Sequence, residues 1–255
     1  MEKILFSVII PCYNEAENVK RGVLEEINTY LSNVDYSYEV IVSDDGTTDG
    51  TWDLVEKRMP KLKNFVHLKN PHGGKPAALL AGLIKSRGEH ILFTDIDQST
   101  PISEVEKLLP NLKNYEVVIG SRGLKRKNFP WYRKLGAAVF SNFRRIMILP
   151  EIKDTQCGFK LFEALALKEA FPKLEFFKKS KKVVGWKVTS FEVELLHILK
   201  KMGCKIAEVE VVWNDRDTST SKGGALQKYV KESKEMFFQI LRVKLNDLRG
   251  MYDDF

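Results

Sequence analysis

Residues 91–101 read ILFTDIDQSTP, an apolar run of strand length that stops on two carboxylates, Asp95 and Asp97, set one residue apart. A continuous run of this kind, without polar alternation, is the pattern of a strand buried on both faces. The same pattern recurs outward from it. ILFSVIIP (Ile4 to Pro11), YEVIVSDDG, NFVHLKN and YEVVIGSR are further strands, and helical stretches separate them. Asn14, with Glu17 three residues on, is placed to cap a helix running to about Leu31. TTDGTWDLVEKRM gives a second helix, and GGKPAALLAGLIKSRG a loop and a third helix closed by Gly88. Strands alternating with helices of this length predict an α/β fold whose parallel sheet is covered on both faces. Further on, SEVEKLLPNLK and FPWYRKLGAAVFSNFRRIMIL read as helices. GFKLFE and CKIAEVEVVW read as strands flanking the helix SFEVELLHILKKMG, and a long helix begins near Ala225.

With 255 residues and no Pro/Ser-rich linker or repeat, the chain is expected to form one large domain, residues 1–224, with residues 225–255 as a terminal helix. A 44% hydrophobic content is enough for a packed core. Cys12, Cys157 and Cys204 are far apart and have no C-x-x-C pairing, so they read as reduced cysteines of a cytosolic protein. The opening MEKILFSVIIPCYNE lacks the pattern of a signal peptide, and no stretch approaches the roughly 20 apolar residues that span a bilayer. A formal charge of +7 favours anionic partners: phosphorylated small molecules or an acidic membrane surface. Nucleic acid is set aside, because no zinc finger, aromatic RNA-binding motif or helix-turn-helix is present.

In an open α/β sheet, ligands bind beyond the carboxyl ends of the strands. Four strand ends carry polar residues: PCYNE, SDDGTTDGT, TDIDQS and GSR. Asp95 and Asp97, two apart in an extended segment, point the same way. Two carboxylates held close repel each other unless a cation lies between them, and Mg²⁺ or Mn²⁺ takes such oxygens together with substrate phosphates. No dinucleotide-binding G-x-G-x-x-G follows the first strand, and NPHGGKPA lacks the spacing of a P-loop. It does place Lys75 at a helix start, where a cation can meet a phosphate.

SVIIPCYNEAENV, VIVSDDGTTDGT, GGKPAALLAG, FTDIDQST, VVIGSR and DTQCGFKLF occur in the order seen in family 2 glycosyltransferases, and the chain resembles that family over roughly residues 4–224. DTQCGFKLF and the VVW…SK of Trp213 to Lys222 look most like the branch that glucosylates or mannosylates dolichyl phosphate. The resemblance implies a GT-A (Rossmann-like), mostly parallel central sheet flanked by helices, to which the apolar stripe of the last segment adds a C-terminal amphipathic helix. It implies that Pro11, Tyr13 and Glu15 cradle the base and ribose of a nucleotide-sugar. Asp44 then accepts from the base N–H with Asp45 beside it, and Lys75 supplies a basic group on the donor side. Asp95 and Asp97 hold Mg²⁺ or Mn²⁺ and through it the diphosphate. Arg122 and Arg133 stand near the diphosphate and the acceptor phosphate, Asp154 and Gln156 on the acceptor side, and Ser221 and Lys222 in a loop over the site. Asp97, Asp154 and Arg122 are the residues expected to carry catalysis. Mannosyl-type relatives often carry a metal-binding Gln two places after the second aspartate. Here that place is Ser99, and Gln98 lies one position early, on the opposite side of an extended chain. This leans toward the glucosyl branch.

The expected reaction moves a hexose, with inversion, from a nucleotide-sugar (UDP-glucose first, GDP-mannose next) to dolichyl or polyprenyl phosphate. A lipid phosphate is already ionised and needs no strong base. A sugar hydroxyl acceptor is the alternative, with Asp154 as its base. An inactive relative that only binds nucleotide-sugar is a further alternative, which intact Asp95, Asp97 and Asp154 argue against. The basic run GLKRKNFPWYRK (Gly123 to Lys134) fits a lipid phosphate.

A lipid acceptor calls for a peripheral position on the cytoplasmic face of a membrane. Two segments qualify. LGAAVFSNFRRIMIL carries Val139, Phe140, Phe143, Ile146 and Met147 beside Arg144 and Arg145. The last helix sets Val230, Phe237, Leu241 and Leu248 on one stripe flanked by Lys231, Lys234 and Arg242. Such a stripe lies in a lipid interface or docks onto its own domain; a membrane-protein partner is the third option.

Overall fold

The computed structural model describes residues 5–123, 142–178, 191–214, 216 and 225–253. Among them lie seven strands: β1 (Phe6–Cys12), β2 (Tyr38–Asp44), β3 (Phe65–Lys69), β4 (His90–Phe93), β5 (Val117–Ser121), β6 (Lys160–Glu163) and β7 (Ile206–Glu210). They form one sheet in the order β3-β2-β1-β4-β6-β5-β7. β6 runs antiparallel to both of its neighbours, and the other pairings are parallel. The unbroken apolar runs are explained by what covers the sheet. Val8 and Ile10 of β1 enter a core with Val19, Leu24 and Ile27, whereas Ile9 enters the opposite core with Leu79, Leu83 and Leu195. Both faces are buried, so alternation has no work to do.

The helix expected over 14–31 is two helices, α1 (Ala16–Lys20) and α2 (Val23–Leu31), parted by Gly22 at φ +91°. Asn14 does not cap it. At φ +54° its side-chain oxygen instead accepts from the Thr48 amide and the Thr47 hydroxyl, stitching the loop after β1 to the loop after β2. α3 (Thr51–Glu56) and α4 (Lys75–Lys85) fall where the apolar periodicity puts them. Pro110 confines the next helical segment to a single α-turn, α5 (Val105–Leu108), flanked by 3₁₀ turns. α6 (residues 142–147), α7 (Ala164–Ala170), α8 (Glu175–Lys178), α9 (Phe191–Lys201) and α10 (Ala225–Leu248) complete the described set.

Two basic residues expected at a lipid-facing surface are turned inward. Arg144 is 1% exposed, and its guanidinium donates to the carbonyls of Leu149, Ile152 and Lys153, closing the chain that leaves α6. Arg242 pairs with Glu175 and Glu194, beside Asn246 and the Tyr252 hydroxyl. These contacts, with buried Ile240 and Val243, fasten one face of α10 to its own domain. The other face stays outward: Phe238, Leu245 and Leu248 are 65%, 50% and 71% exposed. Among the described residues no helix is long and apolar enough to cross a membrane.

Glu194 is 1% exposed and Glu175 is also buried, so removing their cation strands two carboxylates in low dielectric. Arg242→Ala is expected to cost about 2–3 kcal/mol in urea unfolding, below the full penalty of a buried pair because Arg242 keeps partial solvent access.

Candidate active site

The strand directions decide which residues meet. β1, β2, β4 and β5 point the same way, so Cys12, Asp44, Phe93 and Ser121 end on one edge of the sheet. β1 and β4 are neighbours whose connections depart to opposite sides, which opens a crevice at their ends. β6 enters from that edge because it runs backward, with Lys160 in register with both Phe93 and Ile119. The DTQCGF segment just before it is thereby delivered beside the aspartates that follow β4.

On the β1–β2 side, Asp44 Oδ1 accepts from the amides of Gly46 and Thr47, while Oδ2 is buried without a hydrogen-bond partner. An oxygen of this kind awaits a donor. Tyr13 is exposed and stacks on His72 at 4.4 Å between ring centroids. Glu15 accepts from the Asn18 amide at the start of α1, and Pro11 is a residue of β1. Asp45 is turned to a different task from Asp44: its two oxygens accept the amides of Gly73 and Gly74 at 2.8 and 2.9 Å. That contact fixes the loop that presents Lys75 at the first turn of α4.

Lys75 Nζ donates to Asp95 Oδ1 at 2.7 Å, and the two side chains keep 39% and 46% of their surface exposed, so the pair faces an open crevice. Desolvation works against the charge on both. The attraction prevails, and it holds the Asp95 carboxyl below and the Lys75 ammonium above the ordinary range. Lys160 and Arg122 add to the positive potential at Asp95. Asp95 also rests against backbone: a Cβ built on Gly158 would lie 2.0 Å from its Oδ2. Asp97 follows in a tight turn. Its Oδ1 accepts from the Ser99 amide at 2.7 Å, and its carbonyl accepts from Arg21.

Gln98 sits at φ +52°, is 2% exposed, and spends its amide on the Asp95 carbonyl and the Ile102 N–H. The extended chain that its place in the sequence implies is not formed here: residues 96 and 97 make a turn, and Gln98 stands in the left-handed region. The Ser99 hydroxyl accepts from the Arg216 amide.

Arg122 and Asp154 form a two-pronged pair, Nε to Oδ2 at 2.7 Å and Nη2 to Oδ1 at 2.8 Å. Burial opposes ionisation of Asp154, but Arg122 overrides it and depresses the carboxyl far below its usual range. A carboxylate so stabilised is a poor proton acceptor. Both oxygens of Asp154 are engaged by Arg122. Gln156 lies in the same turn, its amide N–H on Asp154 Oδ1. Arg133, Ser221 and Lys222 fall outside the described residues.

Sequence reasoning misses Lys160, a lysine 1% exposed whose ammonium donates to the Cys157 carbonyl and whose charge burial weakens. The clue is present: a lone cation inside the apolar run GFKLF. Trp213 and Gly158, read in the sequence only as parts of motifs, also belong here: the Trp213 ring lies 5.9 Å from the Arg122 guanidinium, and Gly158 packs on Asp95.

The donor set around Asp95 and Asp97 suits a hard divalent ion. Two carboxylates share one loop, an ammonium already stands at Asp95 Oδ1 where a cation would sit, and Gly158, having no side chain, makes room for the Asp95 carboxylate.

A mostly parallel sheet with acidic and basic groups gathered at one edge is the GT-A arrangement, and the chain belongs to glycosyl transferase family 2, whose sequence profile matches residues 7–171. It is 33% identical to a dolichyl-phosphate beta-glucosyltransferase of Trichomonas vaginalis over 86% of this chain and 69% of that one. To the human dolichyl-phosphate beta-glucosyltransferase it is 31% identical, over 92% and 75%. Among solved structures, mannosyl-3-phosphoglycerate synthase from Rubrobacter xylanophilus superposes with a TM-score of 0.64 at 16% identity, covering 97% of this chain and 74% of that one. Glucosyl-3-phosphoglycerate synthase from Mycobacterium tuberculosis, solved with Mn²⁺, UDP and glucosyl-3-phosphoglycerate, gives 0.60 at 19% identity, over 94% and 80%. The protein is a glycosyltransferase.

Because the folded-state pKa of Asp154 is depressed, its pair with Arg122 contributes stability above the unfolded value, about pH 4, and loses it as pH falls further. Asp154→Asn is expected to lower stability by about 2–3 kcal/mol at pH 7. The gap to wild type should narrow between about pH 4 and pH 3 in thermal melts.

Proposed function

We propose that the protein transfers glucose, with inversion, from UDP-glucose to a dolichyl or polyprenyl phosphate at the cytoplasmic face of a membrane. The observation that carries this reading is the convergence of Lys75, Arg122 and Lys160 around Asp95, with Asp154 committed to Arg122. The site is rich in positive charge, and Asp154 has both oxygens on Arg122, which suits an acceptor oxygen that arrives already ionised. Identity of about a third to dolichyl-phosphate beta-glucosyltransferases over most of the chain supports the acceptor and the sugar.

Asp95 and Asp97 would hold Mg²⁺ or Mn²⁺, which when bound neutralises charge developing on the departing diphosphate. The chain's own residues do the rest. Asp44 Oδ2 accepts the base N–H, and Pro11, Tyr13 and Glu15 line the ribose side. Lys75 meets the diphosphate. Arg122, held flat by Asp154 and overlaid by Trp213, orients the acceptor phosphate so that its oxygen attacks the anomeric carbon opposite the leaving group. Arg133, Gln156, Ser221 and Lys222 complete the acceptor side.

A lipid acceptor requires contact with a membrane, and the outward face of α10 supplies the chemistry. Phe237, Phe238, Leu241, Leu245 and Leu248 share that face, with Lys234, Lys244 and Arg249 among and beside them. Phe143 of α6 stacks on Phe237, and Ile146 is 83% exposed. Apolar side chains ringed by cations suit an acidic lipid interface.

The deciding assay follows labelled sugar into organic-extractable lipid, with polyprenyl phosphate, Mg²⁺ or Mn²⁺, and UDP-glucose or GDP-mannose in parallel. Label from UDP-glucose is expected. Label from GDP-mannose alone would overturn the donor, and no label from either would overturn the acceptor. Asp97→Ala should leave below about 1% of the activity; full activity would overturn the metal assignment. The double variant Phe238→Glu, Leu245→Glu should stop floating with acidic vesicles yet still glucosylate a short, water-soluble polyprenyl phosphate.

A further inference from the structure

We propose that Lys75 is a built-in stand-in for the divalent ion: it occupies Asp95 while the donor site is empty and is drawn off by the incoming diphosphate, so that metal and nucleotide-sugar load together. This rests on the reading of Asp95 as a metal ligand. Three observations carry it. The ammonium of Lys75 lies 2.7 Å from Asp95 Oδ1, the position a cation would take. The pair is about 40% exposed on each side, so it faces the crevice and is not sealed in a core. The main chain of Lys75 is fixed independently, because Asp45 grips the Gly73 and Gly74 amides immediately before it.

Those facts separate anchor from head group. A lysine carries its charge on four rotatable methylenes, so Nζ can swing by several ångströms while its Cα stays put. Lys160, by contrast, is buried and tied to the Cys157 carbonyl, and it cannot make that exchange. With no phosphate present, Asp95 has a single-charged partner that a divalent ion must displace. With a diphosphate present, Lys75 finds a more highly charged partner, and Asp95 is released to the ion. The two ligands then strengthen one another, and the coupling passes through one side chain.

The test measures Mn²⁺ binding by the loss of the free-ion electron paramagnetic resonance signal, using the full chain. Wild type, Lys75→Met, Lys75→Arg and Asp95→Ala are titrated with Mn²⁺ alone, with Mn²⁺ plus UDP, and with Mn²⁺ plus GDP. Without nucleotide, Lys75→Met is expected to bind Mn²⁺ about fivefold tighter than wild type, the scale of a part-exposed ion pair, and Lys75→Arg should follow wild type. Nucleotide should then tighten Mn²⁺ binding strongly in wild type and far less in Lys75→Met. Equal or weaker Mn²⁺ binding by Lys75→Met without nucleotide would overturn the proposal, as would the same nucleotide enhancement in both proteins. If Asp95→Ala bound Mn²⁺ as well as wild type, or no protein bound it, the metal reading of Asp95 would fall and the proposal with it. Matching melting temperatures across the set show that the variants are folded.

Discussion

The site depends on one reversal of direction. A sheet whose strands all ran parallel would send the chain before β6 to the far edge, away from the crevice. Because β6 runs backward between β4 and β5, the segment from Asp154 to Gly158 arrives at the same edge as Asp95. The contact that results is extremely close: Asp95 lies where any side chain at position 158 would have to be. Asp95 and the segment that carries Asp154 are thereby held against one another in a closely packed interior of low compressibility.

Around that contact the charges are arranged in unequal pairs. Asp154 and Arg122 match prong for prong and are nearly buried, so they behave as a fixed unit. Lys75 and Asp95 share one contact and stay half open. Lys160 donates to a backbone carbonyl, and its charge acts on Asp95. One small cluster thus holds a closely matched pair, a half-open pair and a buried cation. The same contrast appears in α10, where Arg242 locks one face to Glu175 and Glu194 while the opposite face meets solvent.

Much of this is legible in the sequence because it follows from local patterns. Unbroken apolar runs such as those around Ile9 and Ile91 announce a sheet buried on both faces, and polar residues after four of them announce the crevice. What is not legible is set by partners distant in the chain. Asn14 has the look of a helix cap and serves instead to bridge two loops, because Thr47 and Thr48 come within reach only once β1 and β2 pair. Arg144 and Arg242 have the look of surface cations and are drawn inward by carbonyls and carboxylates that composition cannot reveal. Asp44 and Asp45, adjacent and identical, diverge entirely in what they hold. Residue type reports the chemistry available; the topology decides where it is used.

The unpartnered oxygen of Asp44 has a consequence for the choice of nucleobase. On the edge used in base pairing, uracil and guanine carry a ring N–H, whereas cytosine and adenine offer a ring nitrogen lone pair. A buried acceptor set against that lone pair is repelled until the base shifts to offer its neighbouring amino N–H, and the misfit costs about 1–3 kcal/mol. That corresponds to roughly five- to 150-fold discrimination against cytidine and adenosine diphosphates. Within the proposed function, one atom left without a partner acts as a filter that passes two of the four bases and turns back the other two.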